Sequence, residues 1–170
     1  ELLYAPDAKL PYTGWAKSMH NAEQAEYLAH FKDGVLDGRW TEWREDGEKA
    51  QEGTYKAGRE DGIWTKWYGN GEKESERHFK DGVEEGTWIE WHENGTKMAE
   101  GEYRDGKKHG NWSTWHDNGR KAAETEWRDD KPFGKWTVWH ENGKKRSEGE
   151  FRDEHLHARK QRNDFSELLS

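Results

Sequence analysis

The stretch GTWIEWHENGTKMAEGEYRDGKKHG, Gly86 to Gly110, decides the fold, because its pattern returns every 24 residues. Glycine recurs at Gly14, Gly38, Gly62, Gly86, Gly110 and Gly134, and an aromatic residue follows each of them at Phe31, Tyr55, Phe79, Tyr103, Trp127 and Phe151. Two residues after the glycine stand Trp40, Trp64, Trp88, Trp112 and Trp136, and three further on Trp43, Trp67, Trp91, Trp115 and Trp139. A fixed period of this size is the mark of a repeat array, in which each unit buries its apolar face only by stacking on its neighbours. The first unit departs, with Ala16, Met19 and Glu23 at the Trp, Trp and turn-glycine positions, as expected of a terminal capping repeat.

Within each later unit the pair Asp46-Gly47, Asn70-Gly71, Asn94-Gly95, Asn118-Gly119 or Asn142-Gly143 signals a two-residue β-hairpin turn. A second turn is expected between units, at Asp33-Gly34, Ala57-Gly58, Asp81-Gly82 and Asp105-Gly106. Each unit is therefore two short strands, and the array an elongated, single-sheet, antiparallel β-meander of about twelve strands, all-β in class. Frequent glycine argues against helix. Read in units, the chain is a lead-in over 1–13, repeats over 14–37, 38–61, 62–85, 86–109, 110–133 and 134–157, and a cap or tail over 158–170. Phe165, Leu168 and Leu169 predict a short capping helix in that tail.

With type I′ turns at the Asn-Gly pairs, counting outward places Trp88 opposite Gly101, Trp91 opposite Met98 and His92 opposite Lys97. Trp40 and Trp136 fall opposite Gly53 and Gly149, an indole shielding a bare backbone. The two Trp of a unit are three residues apart, so a regular strand sends them to opposite faces. Such aromatic ladders explain a core rich in Trp and poor in Leu and Ile.

The composition narrows the function. The 170 residues carry a formal charge of −8, no Cys, 12 Trp, 29% hydrophobic and 38% charged residues. A disulfide framework and thiolate metal site are excluded, no apolar run of about 20 residues offers a membrane-spanning helix, and the acidic balance argues against nucleic acid. Membrane association is not expected of an acidic ribbon unless the late basic loops, Lys107, Lys108, His109 and Lys131, act apart from the early acidic ones. The chain opens on Glu1 rather than Met, as a processed or trimmed product would, with a removed signal segment among the options.

These units closely resemble the bacterial MORN-repeat variant, and the PYTGW opening at Pro11 to Trp15 is similar to the lead-in of that variant. The resemblance spans nearly the whole chain. It implies a β-hairpin solenoid, scaffold or adaptor behaviour, phospholipid association as proposed for some eukaryotic relatives, and an antitoxin role that sequesters a toxin; the sequence leaves the compartment open between bacterial cytoplasm and cell envelope.

Three constellations invite chemistry. His92, His116 and His140 occupy one repeat position, but equivalent strands lie about 9.5 Å apart, too far for side chains to share one metal at about 2 Å. We therefore expect no metal and no cofactor, with these histidines solvated and paired across the hairpin to Lys97, Lys121 and Lys145. Glu52, Glu76, Glu100, Glu124 and Glu148 form a second column opposite Ser, Thr or, once, Ile89, and paired carboxylates can hydrolyse glycosides. Five equal copies read as a structural ladder, since catalysis needs distinct environments for acid and base, so no enzyme is expected. The third is the Trp column, which offers a stacking platform for sugars if an indole face is exposed. The leading expectation is a non-enzymatic scaffold that binds another protein through Trp67, Trp91, Trp115 and Trp139 with His92, His116 and His140. A carbohydrate or cell-wall module is the alternative, and open end strands leave an end-to-end homodimer as a further expectation.

Overall fold

The computed structural model describes residues 11–21 and 23–151, so the helix expected within the tail over 158–170 lies outside the described residues. The chain divides into two compact units, Glu1–Glu85 and Gly86–Ser170.

The first unit holds β1 (Gly14–Met19), β2 (Ala25–Lys32), β3 (Val35–Trp43), β4 (Lys49–Lys56), β5 (Arg59–Glu60), β6 (Gly62–Trp67), β7 (Lys73–Lys80) and the start of β8 (Val83–Trp91). The second holds the rest of β8, then β9 (Lys97–Arg104), β10 (Lys107–Trp115), β11 (Lys121–Arg128), β12 (Lys131–Trp139) and β13 (Lys145–Phe151). In each unit the strands pair antiparallel in chain order, with β5 a side piece of β4. This is the all-β antiparallel meander that the hairpin repeats require.

The register bears out the inner pairings: Trp88 faces Gly101, Trp40 faces Gly53 and Trp136 faces Gly149. Near the turns it differs. Trp91 faces Lys97 rather than Met98, and the His92 N–H donates to the Thr96 carbonyl at 2.8 Å rather than facing Lys97. The reason is turn type. The Gly95 N–H closes a turn onto His92 O at 2.9 Å, and Gly95 has φ +79° while Asn94 stays out of the positive-φ region. That is a type I turn followed by a left-handed glycine, a three-residue loop, and it shifts the pairing by one residue. Met98 is then extra between Lys97 and Ala99, and this bulge restores the register. The two offsets cancel, which is why counting from a type I′ turn still pairs Trp88 with Gly101.

Asn or Asp is needed in this loop for a second reason. Its carboxamide or carboxylate oxygen accepts the backbone N–H two residues on, Asp46 from Glu48 at 2.9 Å, Asn94 from Thr96 at 2.9 Å and Asn118 from Arg120 at 3.0 Å. The type I′ turns lie between repeats instead. There both central residues have positive φ, as in Asp33 (+52°) with Gly34 (+79°), and Asp129 (+51°) with Asp130 (+63°) forms a turn that the glycine pattern does not reveal.

One face of each unit carries the aromatic core. Trp64 packs at 5.5 Å from Trp40 and edge-on to Tyr55 at 5.0 Å, and Trp112 stands likewise to Trp88 at 5.0 Å and Tyr103 at 5.3 Å. The glycine cover comes from the following repeat: a Cβ at Gly53 would lie 2.2 Å from Trp64, and one at Gly101 2.2 Å from Trp112. The last repeat has no successor among the described residues, and there Trp136 covers Gly149 of its own hairpin.

Candidate functional site

β3, β6, β8, β10 and β12 each end on the second Trp of the repeat. There Trp43, Trp67, Trp91, Trp115 and Trp139 face Lys49, Lys73, Lys97, Lys121 and Lys145. Each lysine pairs with the glutamate three residues on: Lys49 with Glu52 at 2.8 Å, Lys73 with Glu76 at 2.7 Å, Lys97 with Glu100, Lys121 with Glu124 at 3.2 Å and Lys145 with Glu148 at 2.7 Å. Two of these ammonium groups lie over indoles of the next repeat, Lys49 at 5.0 Å from the Trp67 ring and Lys97 at 5.4 Å from Trp115. Lys121 approaches Trp115 at 5.9 Å, so this ring lies near two cations.

All five of these indoles are half-buried, and none is exposed. Lysine contributes to the cover of two of them, Trp67 by Lys49 and Trp115 by Lys97 and Lys121. The sugar-platform expectation therefore lacks the exposed indole column it needs. The one strongly exposed Trp is Trp15, at 52%, which stands outside both columns.

The glutamates lie where the sequence places them, Glu52 opposite Thr41, Glu100 opposite Ile89 and Glu124 opposite Ser113. Burial pushes the Glu52 carboxyl up, but hydrogen bonds from Lys49 and Arg39 outweigh it and hold the group below the usual carboxylate range. The carboxyl held above its ordinary value is Glu60, outside the column, raised by burial and by the charge of Glu84, with Arg77 partly offsetting. In the second unit, an open depression of about 720 Å³ gathers Glu124, Glu126 and Glu150 beside Lys135.

The histidines are tied to the backbone. His92 Nε2 donates to Trp115 O and His116 Nε2 to Trp139 O, each at 3.1 Å, and in the first unit His20 Nε2 reaches Trp43 O at 2.8 Å. Arg44 serves at the same repeat position, donating to Trp67 O. The expected cross-hairpin partners Lys97, Lys121 and Lys145 face Trp instead, for the reason of turn type given above. Asn94 and Asn118 add donations to Asp117 O at 2.8 Å and Glu141 O at 3.1 Å, so consecutive turns are laced together. His140, at the last turn, is exposed. Among the described residues no group of three or more His, Asp or Glu could hold a metal ion.

Sequence reasoning missed the lysine series as the partner of both the Trp and the Glu columns. The signal was present, since lysine recurs at one repeat position in all five units. The assumed turn type assigned it to histidine.

A family model described as MORN repeat variant matches residues 36–57, 60–81, 84–105 and 134–153, just over half of the chain. The unit over 110–133 falls outside these windows, although its hairpin keeps Trp112 and Trp115 in register with Thr125 and Lys121. No curated protein matches the chain.

Proposed function

The chain belongs to the MORN repeat variant family, and from that premise we propose that it is a non-enzymatic scaffold that docks another protein through the Trp, Lys and Glu residues of its repeats. The observation that supports this reading is the equivalence of the repeats: five lysine-glutamate pairs recur at one position, and three of those lysines also lie against indoles. An enzyme singles out one constellation, whereas a docking surface gains from presenting the same one repeatedly, because weak equal contacts add along an extended partner. Half-buried Trp framed by charged pairs has the composition of an interface, with aromatic anchors and a polar rim. Trp67, Trp91, Trp115 and Trp139 are the anchors in this reading, and His92 and His116 act by lacing the turns that hold them.

The test is affinity capture from the source organism with the native chain and with a Lys97→Glu, Lys121→Glu variant whose circular dichroism matches native. The reading expects one defined protein captured by the native chain and lost with the variant. Capture of the same protein by both baits refutes docking through these residues.

A further inference from the structure

On the aromatic-core face of the second unit the ladder is interrupted. The repeat position held by Gly53, Gly101 and Gly149 is Thr125 in the fifth repeat. Trp112 lies directly on the Gly101 backbone, whereas Trp136 covers Gly149. Beside Thr125 is a concavity of about 290 Å³ whose walls include Trp88, Trp112, Trp127, Ala99 and Ala123. The volume approaches the lower end of the range of small-ligand pockets, and the lining is predominantly apolar and aromatic, as in such pockets.

Two polar atoms in this lining are shielded from solvent without a hydrogen-bond partner: Trp112 Nε1 and Thr125 Oγ1, in residues only 7% and 4% exposed. The repeat supplies a control. Trp64, at the position of Trp112, donates its indole N–H to Thr54 O at 3.3 Å. Buried polar groups are almost always paired, so two orphans on the wall of one concavity point to a ligand that supplies acceptors.

Lys108 completes the set. Its ammonium lies 4.6 Å from the Trp112 ring and 5.0 Å from the Trp127 ring. Its backbone is fixed, the N–H donating to Asp130 Oδ1 at 2.8 Å and the carbonyl accepting from Asp130 N at 3.2 Å. The two π faces hold the cation in place and leave its N–H donors available. An ammonium, an indole N–H and a hydroxyl thus belong to one aromatic-walled concavity. Glu90 also lines it and repels negative charge from its own side.

We propose that this concavity is a binding site for a small carboxylate on a planar apolar body, the carboxylate at Lys108 and Thr125 and the body between the indoles. The inference goes beyond the docking reading: Trp115 borders both surfaces, but Lys108 and Thr125, which carry this one, take no part in the docking reading, so either can fail alone.

Calorimetric titration of the full chain with benzoate, benzamide and benzylammonium tests it, because the three share a ring and differ in charge. Benzoate is expected to bind at least about tenfold more tightly than benzamide, with benzylammonium weaker still. Lys108→Met should abolish the preference for benzoate over benzamide. Thr125→Val, close in shape, should weaken benzoate several-fold while circular dichroism stays native. Absence of benzoate binding up to millimolar concentration overturns the proposal. So does tightest binding of benzylammonium, which would make the concavity a cation cage, or benzoate affinity indifferent to Lys108→Met.

Discussion

Substituting Gly101 by Ala tests the packing rule on which the array rests. The backbone there is ordinary, so the effect lies in the space above it, where the new Cβ would stand 2.2 Å from Trp112 Cδ2 and Cε2. Carbon atoms in contact sit about 3.5–4.0 Å apart, so the indole must retreat by more than about 1 Å. Trp112 is 7% exposed and contacts Trp88 and Tyr103 at 5.0 and 5.3 Å. Overpacking costs about 1–3 kcal/mol and each weakened aromatic pair about 0.5–1.5 kcal/mol, so a loss of about 3 kcal/mol is expected. At a urea slope of about 2 kcal/mol/M the midpoint falls by about 1.5 M. Urea unfolding followed by Trp fluorescence and circular dichroism measures it. Gly69→Ala is the control, since a Cβ there meets nothing within 4 Å, and its effect should stay within about 0.5 kcal/mol. If Gly101→Ala is as mild as the control, packing by the following repeat is not what fixes glycine at this position.

Acid sensitivity should track two glutamates of opposite sign. The lowered Glu52 pKa means the folded state binds fewer protons there than the unfolded state between the lowered and the ordinary value. Its stabilisation is complete above the ordinary carboxylate range and lost as pH falls through the lowered pKa, so Glu52→Gln should flatten that limb of a pH-stability curve. Glu60 is raised by burial and Glu84, so its ionised form costs stability as pH rises through the raised value. Glu60→Gln should stabilise the chain at neutral pH, with no gain below the ordinary carboxylate range, as chemical denaturation at both pH values would show. His116→Ala removes the donor to Trp139 O, and with it about 1 kcal/mol of stability. Hydrogen exchange should then speed up in the last hairpin before it does around Trp88, and uniform acceleration would refute a local lacing role.

Much of this architecture is local and therefore legible. Hairpins need turn residues at fixed offsets, and the Gly, Asn and Asp positions announced them; the inner pairing of Trp40 with Gly53 and Trp88 with Gly101 followed by counting. The type of the Asn-Gly turn was misassigned, because Asn-Gly suits both a two-residue type I′ turn and a type I turn with a following glycine. The hydrogen bond from Gly95 N to His92 O and the backbone of Asn94, outside the positive-φ region, distinguish them. That misassignment moved Lys97 from Trp91 to His92 and hid the lysine column of the candidate site. Asp129-Asp130 escaped notice because its left-handed residues are not glycine.

The sequence by itself therefore determined the period, the strand pairs and which residues share a strand face, since all three depend on spacing along one chain. Tertiary structure decided which repeat covers which glycine, where His92 and His116 send their N–H groups, and that Thr125 stands beside a concavity with two orphan polar atoms. Those contacts join residues from consecutive hairpins, and their distances depend on the twist and offset between strands, which no count along the sequence supplies.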